Sequence, residues 1–250
     1  MELDKVVHYL TAMAGAARAE SRTTQAWPFV TISRQAGAGG HALAEALLAE
    51  FTRRREEPLF QGWQLFDDEI CRQVAANPKL KVLARSLAAE RFTGPLEDFL
   101  THALAGTSPQ DTVARETFRV IAAVAAAGKS VIVGRGAACL LRHLPGGVQV
   151  RLIAPVEHRL PRVMERLDLD ERAAQGYLRQ RDGDRARLVR RWFRRDIEDP
   201  LLYDCVWNTA DVPPKSVALA LLPLLEERTL ELRRTALDSE AAGALRRATD

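Results

Sequence analysis

Between Arg34 and His41 the chain reads RQAGAGGH, which puts Gly37, Gly39 and Gly40 within four positions. Glycines at this density let backbone N–H groups turn toward one point, and a helix opening directly behind them adds its partial positive charge. The chemistry such a loop performs is anion binding, with phosphate as the natural guest. The loop departs from the GxxxxGK[ST] nucleotide pattern, which needs a lysine and then a hydroxyl. Gly40 and His41 stand at those two places. Arg34 is either a substitute cation reaching the phosphates from before the turn or the partner of an acidic neighbour. His41 is either a phosphate contact or an exposed residue of the first helical turn.

Two further cationic groups follow. Arg135 is flanked by Gly134 and Gly136, a setting with few structural reasons for a charge. Eight arginines then fall between Arg179 and Arg195, while the whole chain has only five lysines (Lys5, Lys79, Lys81, Lys129 and Lys215). Arginine's planar fork suits bidentate phosphate contact better than lysine's point charge. The plain alternative for most of the eight is a solvated helix face. Asp67 is either functional or a helix cap, and Asp68 and Glu69 read as solvated.

The elements that must hold these residues follow from periodicity. Phe29–Ser33 is an apolar run bounded by Pro28 and the glycine loop. Leu43, Leu47, Leu48 and Phe51 repeat at helix spacing from about Gly40 to Arg54. Trp63–Phe66, Ser130–Val133, Val148–Ala154 and Cys205–Trp207 supply four more short strands. Helices are expected over residues 2–20, from Asp67 onward, over 111–127, after Gly136, and from Pro155, with a kink or early stop at Pro161. A long helix runs from Asp168 or Asp170 to about Arg195, loosened at Gly183, and a closing helix spans 217–232. Residues 233–250 read as a polar, frayed tail. Five strands separated by helices predict an α/β fold, a five-stranded parallel sheet flanked by helices in three layers. Ligands in such folds sit beyond the carboxyl ends of the strands. That rule brings together residues 34–41, Asp67, Arg135 and Asn208.

Bulk properties narrow the class. At 250 residues and 47% apolar the chain can bury a substantial core. No apolar run reaches the roughly 18–20 residues of a membrane span, and Glu2, Asp4 and His8 interrupt any leader-like segment, so a cytoplasmic protein without a membrane partner is expected. A net charge of +3 is too small to imply nucleic acid binding. Cys71, Cys139 and Cys205 lack paired spacing and read as reduced thiols. His102, His143 and His158 lack metal spacing, so no protein metal site is expected. The N-terminal helix has two open roles, a contact to a second copy in a homodimer or a cover on the sheet.

The ordered set TISRQAGAGGHALAEAL, LFDDEI, SVIVGRGAACLL, VQVRLIAPVEHRLPRVMERL, DGDRAR and DPLLYDCVWNT resembles the cytidylate-kinase-like family, a branch of the P-loop nucleoside monophosphate kinases. The similarity runs from about Trp27 to Leu224. The chain then divides into an N-terminal helix and linker over 1–25, a kinase-like domain over 26–228, and the C-terminal helix end with a polar tail over 229–250. Within the domain the resemblance implies an acceptor region near 67–127 and an arginine-bearing lid near 170–195. The implied reaction moves the γ-phosphoryl group of ATP to a nucleoside monophosphate, CMP or dCMP first, with Mg²⁺ carried by the nucleotide.

Carried over by position, Gly37, Ala38, Gly39, Gly40 and His41 cradle the donor phosphates and Asn208 lies beside the donor base. Asp67 lies near the acceptor. Arg135 meets the acceptor phosphate, although the family's next residue, an aspartate, is Gly136 here. Arg181, Asp184 and Arg187 match the lid set that meets the transferring group. Phosphoryl transfer asks mainly for positioning and charge neutralisation, so no nucleophile or base triad is required. The missing lysine, the missing hydroxyl and Gly136 support two other readings. One is a nucleotide- or anion-binding protein of kinase fold with weak or no transferase activity. The other is a kinase for a non-nucleotide metabolite.

Overall fold

The computed structural model describes residues 27–78 and 109–249 together with Tyr9, Thr11 and Val82, side chains being described through Asp238. Five strands, β1 (Phe29–Arg34), β2 (Gln64–Phe66), β3 (Ser130–Val133), β4 (Gly147–Ile153) and β5 (Cys205–Asn208), form one sheet in the order β2-β3-β1-β4-β5. Every pairing is parallel. The central strand explains itself: Phe29, Val30, Thr31 and Ile32 are all buried, as a strand covered on both faces must be. Thr31 hydrogen-bonds Gln149 on β4, which satisfies the hydroxyl inside the sheet.

Among the described residues seven helices flank the sheet: α1 (Gly40–Arg53), α2 (Asp68–Ala76), α3 (Pro109–Ala127), α4 (Ala137–Leu140), α5 (Val156–Leu167), α6 (Glu171–Phe193) and α7 (Pro214–Thr249). Alternation along the strands feeds two cores. Phe29 and Ile132 point to one face, where they meet Ile70 and Val74 of α2 and Phe118 and Ile121 of α3. Val30, Ile32, Val131 and Val133 point to the other and meet Leu43, Leu47 and Phe51 of α1 and Leu221 and Leu225 of α7. The three-layer α/β/α expectation is met. A small third cluster, Ala36, Val163, Ala174 and Leu178, packs α5 and α6 onto the glycine loop.

Three local expectations are corrected. α5 runs unbroken through Pro161 and stops only where Asp168 turns left-handed at φ 51. Its frame is held around the proline by buried Arg159 and Val163, which offsets the one helical bond Pro161 cannot donate. α6 likewise passes through Gly183 without a break; its N-cap is Asp170, which accepts from Ala173 N at 2.7 Å. Residues 233–249 are not a frayed tail but continue α7. Alanine and arginine, both strong helix formers, make up nine of this segment's 17 residues. The N-terminal helix lies outside the described residues except at Tyr9 and Thr11, both helical; buried Tyr9 donates to the Gly128 carbonyl. Most of the expected acceptor region, residues 79–108 apart from Val82, is also outside them.

β1 is the switch point of the sheet. Its chain leads away to β2 on one side, and the chain leaving β3 crosses to β4 on the other. The loops after β1 and β3 therefore face one crevice at the carboxyl ends of the strands.

Candidate functional site

The glycine loop turns on two left-handed residues, Gly37 at φ 75 and Gly39 at φ 85. A side chain at Gly37 is excluded twice over, because a Cβ there would lie 2.8 Å from the Arg159 carbonyl oxygen on α5. Gly39 is the N-cap of α1 and offers no side chain to cap it. The N–H groups of Gly40, His41 and Ala42 consequently have no partner among the described residues. A 14-residue helix thus opens onto the crevice with its first donors free.

Those donors face a cavity of about 570 Å³. Six arginines line it, Arg34, Arg135, Arg162, Arg166, Arg181 and Arg185, together with His41; the acids are Glu45, Asp68 and Asp184. The electrostatics show the excess of positive charge. Burial, then Arg185, presses the Arg34 pKa down to about 9. Burial depresses Arg135 and Arg185, and burial followed by Arg34 depresses His41. Arginine stays charged at neutral pH all the same, so the cavity is a place where cations outnumber anions. A phosphate-bearing ligand would supply them.

Several elements hold these cations in place. Arg135 sits at φ 55 between Gly134 at φ 88 and Gly136 at φ 67. A left-handed arginine costs on the order of 1 kcal/mol and is tolerated where surroundings over-determine it. Its Nε pairs with Asp68, the first residue of α2. Helix α6 is fastened by Asp182. One carboxylate oxygen accepts from Ala36 N in the loop at 2.6 Å, and the other accepts from Arg159 Nη1 at 2.8 Å. Arg159 is buried and also donates to the Ala154 and Ala36 carbonyls. Arg185 donates to the Arg34 carbonyl at 3.2 Å. Strand end, loop, α5 and α6 therefore form one braced unit.

A second cavity, about 510 Å³, lies on the other side of the loop between Ala38, Gly39 and Leu43 and the turn after β5, with Val212 and Pro213 on its wall. Gly39, Ala42 and Arg162 border both cavities. Arg162 bridges them by donating to the Thr209 carbonyl at 2.9 Å, and Thr209 Oγ1 donates to the Ala38 carbonyl at 3.0 Å.

Of the residues singled out by sequence, Arg34, Gly37, Gly39, Gly40, His41, Arg135, Arg181 and Asp184 line the larger cavity, and Ala38 lines the second. Three do not line either one. Asp67 caps α2, accepting from Ile70 N at 3.0 Å, and the neighbouring Asp68 lines the cavity instead. Arg187 is exposed and pairs with Asp184. Asn208 accepts from Ala210 N at 3.0 Å and shapes the turn, whose following residues form the wall. Sequence reasoning missed Arg162, Arg166, Tyr177 and Arg185, and the Arg159–Asp182 brace. The signal was present for α6: Tyr177, Arg181, Asp184, Arg185 and Leu188 recur at helical spacing, and Arg187 lies about 120° round from Arg181.

For Mg²⁺, no group of three or more His, Cys, Asp or Glu side chains able to hold a metal occurs among the described residues. The cationic lining fits an anion. All three cysteines are free. Among the described residues no helix is long and apolar enough to cross a membrane.

Comparison with known proteins agrees with this geometry. A crystal structure of an uncharacterized protein from Eubacterium ventriosum superimposes with a TM-score of 0.61 at 20% identity, covering 80% of this chain and 98% of that one. A shikimate kinase from Bacteroides thetaiotaomicron covers the same shares at 13% identity and a TM-score of 0.42. No curated protein matches the chain. The model of the cytidylate kinase-like family matches residues 29–211, from the first residue of β1 to the turn after β5. The chain belongs to the cytidylate kinase-like family.

Proposed function

We propose that this protein is a nucleoside monophosphate kinase of the cytoplasm, transferring the γ-phosphoryl group of ATP to CMP, dCMP or a related monophosphate. The observation that carries the reading is the uncapped start of α1, opening into a cavity with six arginines and three acids beside a second cavity with apolar walls. The free N–H groups of Gly40, His41 and Ala42 and the surrounding cations suit a triphosphate. The Leu43–Val212–Pro213 cavity suits its base.

Mg²⁺ brought in on the triphosphate would neutralise part of the phosphate charge. The chain's own residues do the rest by position. Arg135 holds the acceptor phosphate once it exchanges Asp68 for that anion. Arg181 and Arg185 on α6 stand where charge builds on the phosphoryl group in flight. An oxygen of the acceptor phosphate bonds to the γ-phosphorus while the bond to the β-phosphate oxygen breaks, and ADP leaves with that electron pair. The attacking oxygen is already anionic, which removes the need for a base.

A coupled ADP-release assay over a panel of monophosphates tests the reading. ADP production that depends on the acceptor, highest with CMP or dCMP, is the expected outcome. Arg135→Ala should lower kcat/KM for the acceptor about 10- to 100-fold, the range expected for a lost charge-assisted hydrogen bond. Absence of acceptor-dependent ADP with every monophosphate would overturn the proposal. A second reading is favoured by Gly40 and His41 in place of lysine and hydroxyl: a binding protein of kinase fold, which ATP stabilises against melting without transfer.

A further inference from the structure

The starting point for a loop lysine is already occupied. A Cβ at Gly40 would lie 2.9 Å from Arg34 Cγ and 3.1 Å from Cδ. The stem of Arg34 therefore crosses the first residue of α1. Farther out its guanidinium lies against Gly134, where any Cβ would collide with Nη1. One arginine thus lies against glycines of two separate loops.

Among the described residues the guanidinium has no partner. It makes no hydrogen bond or ion pair with a described residue, so the alternative in which Arg34 pairs with an acidic neighbour is not realised. Asp67, the acid that acts on it electrostatically, points its carboxylate at Ile70 N. Its strongest charged neighbour is Arg185, which is a cation too. Five N–H donors held in a mostly enclosed place, beside three free N–H groups of a helix start, are complementary to phosphoryl oxygens.

We propose that Arg34 is the phosphate-binding cation of this loop, transposed from the helix to the end of β1, so that arginine at 34 and any side chain at 40 exclude each other. The ligand class is a nucleoside triphosphate or another compound with linked phosphates. The inference rests on the cavity being a polyphosphate site, and it does not require transfer.

The test is titration calorimetry of the full-length protein with Mg²⁺–ATP and with pyrophosphate, repeated for Arg34→Gln, Gly40→Lys and the double variant Arg34→Gly with Gly40→Lys. Arg34→Gln should weaken ATP binding about 10- to 100-fold. Gly40→Lys alone should weaken it as well, and the double variant should recover to within about tenfold of wild type. Should Gly40→Lys fail to fold, Arg34→Gln and the double variant still decide. Wild-type affinity in Arg34→Gln, or tighter ATP binding in Gly40→Lys with Arg34 intact, overturns the assignment while leaving the polyphosphate site standing. A wild-type protein that takes up neither ATP nor pyrophosphate overturns both. Weakened binding in Arg34→Gln supports the assignment whether or not the wild type transfers a phosphoryl group.

Discussion

At the scale of single residues, the cavity is defined by cations that outnumber its acids, and this has a pH signature at His41. Burial and Arg34 depress its pKa below the usual value of about 6.5. The unfolded chain therefore binds a proton at higher pH than the folded one. Stability through His41 is complete above about pH 6.5 and falls as pH drops toward the depressed folded value. A bound polyphosphate reverses the imbalance by favouring the protonated ring. ATP binding near pH 6 should then be accompanied by proton uptake, measured as a dependence of the binding heat on buffer ionisation enthalpy. His41→Asn should remove that share, and equal uptake in the variant would contradict the role.

The same residue scale shows how far sequence reaches. Three glycines in four positions were legible because few needs other than a backbone turned toward a ligand produce that spacing. The choice between Arg34 as substitute cation and Arg34 as ion-pair partner was not legible. It depends on whether an acid lies within reach in space, and the nearby Asp67 is engaged in capping. The shift from Asp67 to Asp68 has the same origin: the cap takes the first acid, and the next side chain projects into the cavity.

At the scale of elements, α6 and the loop form a braced pair. Asp182 is the shared anchor, and Asp182→Asn leaves the buried Arg159 guanidinium without its carboxylate. Because Asp182 is 30% exposed, the cost should fall below that of a fully buried pair, at about 1–3 kcal/mol. A fall in Tm of about 3–10 °C by thermal unfolding is expected, and an unchanged Tm would show that the brace contributes little. The departure at Gly136 is also an element-level matter. Its φ is +67, and a Cβ would lie 2.5 Å from Phe193 Cε2 near the end of α6. An aspartate at 136 should therefore destabilise the fold by about 1–3 kcal/mol. Gly136→Asp together with Phe193→Leu should recover part of the loss. A stable Gly136→Asp variant with improved CMP turnover would refute the steric explanation.

Elements were legible where period and punctuation agreed. Ser130–Val133 matches the expected strand residue for residue, because an apolar run between Gly128 and Gly134 admits little else. Legibility failed where a local rule was overridden. Pro161 should have bent α5, but packing on both sides keeps the helix whole. Residues 233–249 looked polar, yet their alanines and arginines suit a helix and α7 continues through them.

At the scale of the molecule, the parallel sheet places two loops from opposite sides of its switch point at one crevice, and everything charged converges there. Strand alternation predicts this architecture, since it needs only the apolar pattern and the rule for parallel connections. What the pattern cannot encode is which helix face the crevice receives, and that decided Arg185 over Arg187.

The claim that this crevice transfers a phosphoryl group is tested most directly by incubating the protein with ATP labelled in the γ-phosphoryl group, Mg²⁺ and CMP, and following the label. Appearance of labelled CDP in step with ADP, abolished or strongly reduced by Arg135→Ala, is the result expected. Protection from melting by ATP with no label passing to CMP, dCMP or any other monophosphate would contradict it.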